Sequence, residues 1–248
     1  MGAIMTQSDI IGALILFAYY LVVCVVIPTP FKYWTKVPDE LIRKAQHIGY
    51  SMSVFLLLNL FSTWYAAIAA SLLLVVIGYP VLMLMERAKW YARAFTDRTE
   101  GGGEFRNSLL AVQGTFVVLI AVFWGALGIR WAPVIGVAVM GWGFGDAAAA
   151  LVGKAWGKRR ILWRWVDRAK TYEGSAAMVA FGGTAIFLTA IFYAGLPWYQ
   201  AFVIAIVVAP ICGVVELVTR RGFDTITVPL VAALSIVPLM RLFLHLGW

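Results

Sequence analysis

The sequence predicts an all-α protein that crosses a membrane about eight times, and two observations support this prediction. Of the 248 residues, 62% are hydrophobic and only 13% are charged, against about 45–50% and about 25% in an ordinary soluble domain. The apolar residues also fall into runs close to the roughly 20 residues that a helix needs to cross a bilayer. Composition therefore excludes a soluble domain, and eight spans leave too few residues for a separate folded domain.

Apolar runs bounded by turn and charge signals define the spans. The first run reads as a retained span and not as a signal peptide, because no Lys or Arg precedes it and no small-residue cleavage site is visible. The predicted spans are residues 9–27, 39–61, 64–85, 107–127, 131–153, 173–194, 198–217 and 227–247.

The distribution of basic residues predicts the topology. Eighteen of the 20 Lys and Arg residues lie in or beside four connections on one side of the membrane, whereas the opposite loops contribute only Arg130. The positive-inside rule makes the basic side cytoplasmic and places both termini outside. We therefore predict a single integral domain, residues 1–248, in the cell (inner) membrane, and the net charge of +8 needs no nucleic-acid partner. The predicted cytoplasmic loops are 28–46, 86–107, 153–173 and 218–226.

Two of these loops differ from simple connections. Residues 156–170 alternate apolar and basic side chains with helical spacing, which predicts an amphipathic helix on the membrane surface; a basic flank that only sets topology is the alternative. Residues 98–107 form a polar, glycine-broken segment typical of a mobile connection. The apolar face of the predicted surface helix consists of Ile161, Leu162, Trp165, Val166 and Ala169.

Two carboxylates lie where the membrane makes them costly, so each is a functional candidate. Asp146 lies in the fifth span, seven residues before Gly153 and therefore about 10 Å below the cytoplasmic end. The Gly and Ala residues around it favour close helix packing but do not explain the carboxylate. Glu216 ends the seventh span, where pairing with Arg220 at i+4 is the structural alternative.

Charged residues also begin three of the spans on the same side. Arg43, Lys44 and His47 follow a Pro-Asp-Glu helix start, and cations beside free backbone N–H groups suit phosphate; positive-inside anchoring is the alternative. The sixth span opens with Lys170, Glu173, Gly174 and Ser175, and the eighth with Asp224, for which helix capping is the alternative.

Together these residues predict a site for a metal-bound nucleotide, because carboxylates hold Mg²⁺ and cations offset phosphate charge. The motifs of P-loop, dinucleotide-binding, zinc-protease and serine-hydrolase proteins are absent from the sequence. Cys24 and Cys212 lie singly in apolar runs, so neither a disulfide framework nor a zinc site is indicated.

The sequence resembles the membrane lipid-alcohol kinase family that includes phytol kinase, dolichol kinase and the yeast-type diacylglycerol kinase. The resemblance spans residues 43–230, and its most specific part is the glycine–aspartate motif followed by KTYEGS. One departure is Asp224-Thr225, where the family usually has Asp-Asn before TVPL. The matching segments are RKAQH (43–47), GDAAAALVGKAWG (145–157), KTYEGS (170–175), Glu216 and DTITVPL (224–230).

The resemblance implies phosphoryl transfer from a nucleotide to a membrane isoprenoid alcohol of the phytol, geranylgeraniol, polyprenol or dolichol type. CTP is the implied donor, with Mg²⁺; ATP is the alternative donor. By resemblance, Asp146 binds the metal or accepts the hydroxyl proton, and Arg43 and Lys44 stabilise the transferred phosphoryl group. The implied nucleotide or phosphate ligands are Gly145, Gly153, Lys154, Lys170, Gly174, Ser175 and His47, and the implied metal ligands are Asp146, Glu173, Glu216 and Asp224.

Three other functions are alternatives at this stage. Phosphatidate cytidylyltransferases, which make a CDP-lipid, share motifs with this family, and a diacylglycerol kinase would use the same donor site. A transporter could use Asp146 and Glu216 to couple ions, although it would place polar groups through the whole depth of the bundle. The apolar residues alone do not distinguish one lipid substrate from another.

Overall fold

A computed structural model describes residues 6–87, 91, 103–220 and 222–247. Every regular element in these residues is a helix, so the predicted all-α membrane fold is confirmed. Four basic residues used in the topology argument, Lys89, Arg93, Arg98 and Arg221, lie outside the described residues, as does 98–102 of the glycine-broken loop.

The helices cluster into two compact units, residues 1–126 and 127–248. Within the described residues, the first unit contains α1 (Gln7–Leu21), α2 (Pro28–Trp34), α3 (Asp39–Asn59), α4 (Trp64–Glu86) and α5 (Glu104–Leu119). Short π-helical turns, Val22–Val26 and Ile120–Ala126, extend α1 and α5. The second unit contains a 3₁₀ turn (Ile129–Trp131) and then α6 (Ala132–Trp156), α7 (Tyr172–Phe192), α8 (Trp198–Val218) and α9 (Asp224–His245).

Seven helices in the described residues are long and apolar enough to cross a membrane, and α3 differs from them. With 21 residues, α3 has the length of a span, but its first turns carry Asp39, Glu40, Arg43 and Lys44. Its amphipathic first half explains why it is the least apolar of the eight predicted spans. The seven spanning segments are Gln7–Phe31, Trp64–Glu86, Glu104–Ala126, Ile129–Trp156, Tyr172–Phe192, Trp198–Val218 and Asp224–His245.

A buried polar network joins four helices of the first unit. The Tyr20 hydroxyl on α1 lies 2.9 Å from Ser53 Oγ on α3. Gln113 on α5 donates to Tyr20 and accepts a 2.6 Å hydrogen bond from Ser71 on α4. Because each polar group finds a partner inside the unit, none has to be satisfied by lipid.

In the second unit, α6 and α7 pack antiparallel at very close range. A Cβ at Gly145 would lie 2.5 Å from Met178 Sδ, and a Cβ at Gly174 would lie 2.9 Å from the carbonyl oxygen of Ala149. The glycine and alanine residues of α6 therefore let the two backbones approach, as small residues do in membrane helix pairs.

The loop between α6 and α7 corrects one prediction, since residues 157–171 contain turns and no helix. Ile161 N–H donates to the carbonyl of Lys170 and Tyr172 N–H to that of Arg159, so the two ends of the loop pair with each other. The predicted apolar face is divided as a result: Ile161 and Val166 are buried, whereas Leu162 and Trp165 are exposed. Backbone pairing across the loop therefore outweighs the helical spacing of its side chains.

Candidate functional site

A polar cavity of about 320 Å³ lies in the second unit. Its walls come from α6, the 157–171 loop, the first turn of α7 and the last turn of α8. The cavity is lined by Asp146, Ala149, Ala150, Gly153, Lys154, Asp167, Ala169, Lys170, Thr171, Gly174, Ser175 and Glu216. Seven of these were candidate site residues from the sequence, so the second unit does bring most of the predicted site together.

Helical spacing explains the α6 wall. Ala149, Ala150 and Gly153 follow Asp146 at i+3, i+4 and i+7, and therefore share its face of the helix. Their small side chains leave open space beside the half-buried Asp146 carboxylate. The alanine run thus contributes both to packing and to the shape of the cavity.

A buried ion pair forms the opposite wall. Lys170 Nζ lies 3.0 Å from Glu216 Oε1 and also donates to the Glu216 carbonyl oxygen. Glu216 is 7% exposed, and its carboxylate also feels the charges of Asp146 and Asp224. The partner of Glu216 is therefore Lys170 and not the Arg220 that i+4 spacing suggested.

The first turn of α7 lies at the cavity with the positive end of its helix dipole. Thr171 caps this helix by accepting a hydrogen bond from Gly174 N–H at 3.1 Å, and Ser175 follows on the same turn. A helix N-terminus with lysines on either side attracts anions, phosphate above all. The exposed Lys154 and the paired Lys170 both line the cavity beside this turn.

Three predicted residues of the second unit do not line the cavity. Gly145 packs against Met178. The Glu173 carboxylate accepts a 3.3 Å hydrogen bond from Arg159 N–H, and so holds the 157–171 loop. Asp224 lies in the first turn of α9, close enough to Glu216 to act on its charge, and accepts a 3.0 Å hydrogen bond from Thr225 N–H.

Asp167 is a lining residue that the sequence reasoning missed. Its side chain accepts a 2.9 Å hydrogen bond from Ala169 N–H, and its carbonyl accepts one from Lys170 N–H. This turn presents Lys170 to the cavity. The available signal was a single carboxylate among the bases of residues 158–170, three positions before Lys170.

The other predicted cationic residues, Arg43, Lys44 and His47, belong to the first unit. Arg43 pairs with Glu40, and its Nη1 lies 3.9 Å from Glu104 Oε1. Lys44 and His47 are buried, with 5% and 6% exposure. His47 Nδ1 lies 2.8 Å from the Tyr50 hydroxyl, which is the structural hydrogen bond expected as one alternative for this residue.

The donor set of the polar cavity fits a magnesium ion that arrives with a nucleotide. No three His, Cys, Asp or Glu side chains among the described residues come close enough to hold a metal ion alone. Protein Mg²⁺ sites usually need only one or two carboxylates, because water and substrate phosphates complete the shell. Asp146 and Glu216, which line one cavity and interact electrostatically, meet that smaller requirement.

The fold and the cavity together define a class: an integral membrane protein of packed α-helices with a polar, anion-attracting site built at helix ends. Comparison with known proteins then specifies the family. The chain is 32% identical to the phytol kinase of Synechocystis sp. over 200 residues, which cover 79% of this chain and 78% of the relative. The chain therefore belongs to the phytol kinase family. No protein-family model matches the chain, and no solved structure matches it.

Proposed function

We propose that this protein is a lipid-alcohol kinase that transfers the terminal phosphoryl group of CTP to the hydroxyl of a membrane isoprenoid alcohol. Membership of the phytol kinase family supports the reaction class. The observation that carries the proposal is the polar cavity, which is lined by Asp146, Lys154, Lys170 and the first turn of α7. This combination of carboxylates, two ammonium groups and a helix N-terminus suits a nucleotide phosphate chain that carries a metal ion.

Several lining residues have a chemical task in the proposed reaction. Lys154 and Lys170 bind the phosphates and offset their charge, and the positive end of the α7 helix dipole beside Gly174 and Ser175 adds to this attraction. Gly153 keeps the α6 backbone close to Thr171 and Gly174, since a Cβ there would lie 3.3 Å from Thr171 Oγ1. Most of the rate acceleration in phosphoryl transfer comes from such positioning and charge neutralisation.

The transfer step is an in-line displacement. The alcohol oxygen forms a bond to the γ-phosphorus while the bond from that phosphorus to the β,γ-bridging oxygen breaks, which releases the nucleoside diphosphate. Asp146 accepts the hydroxyl proton as a general base, a role that typically contributes about 10²–10⁴-fold to rate. We propose that Arg43 and Lys44 stabilise the transferred group, as the resemblance implies.

Asp146 and Glu216 are the residues that would hold Mg²⁺, with Asp224 acting on Glu216 from α9. When bound, the ion would offset the negative charge that develops on the phosphates. The ion pair with Lys170 keeps the Glu216 carboxylate in place before the nucleotide arrives.

We also propose that the site faces the cytoplasm of the inner membrane. The 157–171 loop contributes four cavity residues and is rich in Lys and Arg, and basic loops are retained on the cytoplasmic side. A soluble nucleotide would then reach the cavity from the cytosol, while the alcohol stays in the bilayer.

The test is product analysis with the purified protein in lipid nanodiscs. CTP or ATP with Mg²⁺ is offered with geranylgeraniol, phytol, diacylglycerol or phosphatidate, and the products are separated. A phosphorylated isoprenoid alcohol with CDP supports the proposal. Pyrophosphate with a CDP-lipid would instead establish a cytidylyltransferase, phosphorylated diacylglycerol would change the substrate, and absence of nucleotide turnover would reject kinase activity.

A further inference from the structure

A second cavity, of about 230 Å³, lies within the first unit and has the opposite character. Side chains of α1, α3, α4 and α5 line it, and most of them are apolar. Its lining includes Leu74, Met85, Leu109 and Val112, together with Arg43 and Glu104.

The charged residues of this lining lie at one end of the cavity. Arg43 lies near the start of α3 and Glu104 begins α5, while Met85 is next to the last residue of α4. The ion pair between Glu86 and Arg106, at 2.9 Å, holds the end of α4 beside the start of α5. These helix ends therefore form one rim, and Arg43 and Glu104 belong to it.

From this rim the cavity extends into the apolar interior of the unit. Leu74 precedes Met85 by 11 residues and Val112 follows Glu104 by eight, so at 1.5 Å per residue the lining reaches about 12–16 Å along both helices. The wall at that depth is closed by buried Val112, by Leu74 and by Tyr20 of the polar network. We call this apolar cavity with one charged end the sleeve; it is open along one side, where its lining residues Leu21, Ile77 and Val81 are 45–59% exposed.

The charged end carries both signs, which restricts the headgroup it suits. Arg43 Nη1 and Glu104 Oε1 are 3.9 Å apart, and Arg43 also pairs with Glu40. A carboxylate repels a phosphate group, whereas a neutral hydroxyl can accept a hydrogen bond from Arg43 beside it. Arg43 Nε is buried and has no hydrogen-bond partner among the described residues, which leaves one donor of that side chain for such a group.

We infer that this sleeve is the binding site for the lipid alcohol, with a single isoprenoid chain lying along α4 and α5 and its hydroxyl at the rim, where it accepts a hydrogen bond from Arg43. The inference rests on the proposed function for the identity of the occupant. The apolar lining and the paired charges support it independently of the polar cavity in the second unit. They favour a neutral alcohol over phosphatidate, whose phosphate would meet Glu104.

The test measures binding without any nucleotide, so that it is independent of kinase activity. A geranylgeraniol analogue with a diazirine at the far end of its chain is photolysed with the protein in nanodiscs, and the labelled peptides are mapped. We expect labelling of α4 and α5 around Leu74 and Val112, competed by geranylgeraniol but not by phosphatidate. Labelling elsewhere, or equal competition by phosphatidate, would overturn the inference.

Two neighbouring residues provide a matched pair of variants. Leu109 lines the sleeve, whereas Leu110 points outward and is 42% exposed. Leu109→Trp fills the sleeve and should reduce labelling roughly tenfold, which corresponds to about 1.4 kcal/mol of binding free energy, while Leu110→Trp should leave it unchanged. Equal labelling in both folded variants would contradict the inference.

If Leu109→Trp does not fold, Leu82→Trp on the sleeve wall of α4 replaces it, with Val76→Trp on the outward face as its control. The two proposals fail in different ways. Site-specific, competable labelling by a protein that turns over no nucleotide would retain the sleeve as an alcohol site and reject the kinase. A kinase that labels outside the sleeve would reject the sleeve alone.

Discussion

Both cavities of this protein are lined mainly by α-helices, yet they differ in the size and polarity of their lining side chains and in where their charges lie. In the second unit, alanine and glycine residues of α6 leave room beside Asp146, and the Lys170–Glu216 ion pair closes the opposite wall. In the first unit, leucine, valine and phenylalanine side chains surround the space, and charge is confined to Arg43 and Glu104 at one end. The first arrangement suits a soluble, charged ligand and the second a membrane-resident one. Phosphorylation of a lipid by a nucleotide requires both kinds of binding site.

The largest expected effect comes from Asp146→Asn. Loss of the only carboxylate on the α6 wall of the polar cavity should lower kcat by about 10²–10⁴-fold, while the alcohol labels the sleeve as before. Steady-state kinetics and photolabelling on the same preparation check both statements. If Asp146→Asn kept kcat within about threefold of the parent, its proposed role would be wrong.

Lys170→Met should affect both stability and nucleotide binding. Removing one partner of a buried ion pair typically costs about 3–5 kcal/mol, because Glu216 is then left buried without its ammonium partner. The double variant Lys170→Met/Glu216→Leu should recover much of that stability but not the affinity for nucleotide. Thermal unfolding and KM for CTP measure the two effects, and recovery of KM in the double variant would reduce Lys170 to a structural residue.

Ligand-induced stabilisation should separate the two cavities. At a hundredfold excess over its Kd, a ligand adds about 2.7 kcal/mol to the stability of the protein that binds it. Lys170→Met should remove the Tm increase caused by a non-hydrolysable CTP analogue with Mg²⁺ and keep the increase caused by geranylgeraniol. Leu109→Trp should do the reverse. A variant that abolished both increases equally would show that the cavities do not act as two separate binding sites.

A smaller effect is expected from Gly174→Ala. The added Cβ would lie 2.9 Å from the carbonyl oxygen of Ala149, a backbone atom that moves only with α6. Overpacking of this kind costs about 1–3 kcal/mol. Gly114→Ala on α5 is the control, because nothing lies within 4 Å of its Cβ and helix propensity favours Ala by about 0.5–1 kcal/mol. A Tm that falls in the control and rises in Gly174→Ala would contradict the packing argument.

The sequence predicted the membrane-spanning fold well, because length and hydropathy are properties of each segment alone. The polar cavity was also largely predictable: a carboxylate inside a span is costly, so Asp146 and Glu216 stand out, and the residues around Lys170 begin a helix. Local patterns contain no information on pairing between distant parts of the chain. The i+4 spacing suggested Arg220 as the partner of Glu216, whereas the fold pairs Glu216 with Lys170.

The remaining differences have the same cause. The spacing of residues 156–170 favoured a helix, but pairing between Ile161 and Lys170 made a folded loop. Glu104 and Gln46 became lining residues only once α3, α4 and α5 enclosed a space. An apolar sleeve leaves no distinctive signal in a membrane sequence, because the residues that line it are those that also face lipid.

The hydrogen-bonded group of Tyr20, Ser53, Ser71 and Gln113 bears on how such a sleeve could diversify. Hydrocarbon contacts are nearly equivalent in every rotation of a membrane helix, since lipid tails are as apolar as leucine side chains. A shared polar group at mid-depth instead fixes the rotational phase of each helix, much as one buried asparagine sets the register of a coiled coil. Because the rotation of α1, α3, α4 and α5 about their axes is fixed in this way, substitutions among the apolar residues can lengthen or shorten the sleeve without rotating any helix. Under the proposal that the sleeve holds the alcohol, chain-length preference can therefore change while the architecture is conserved.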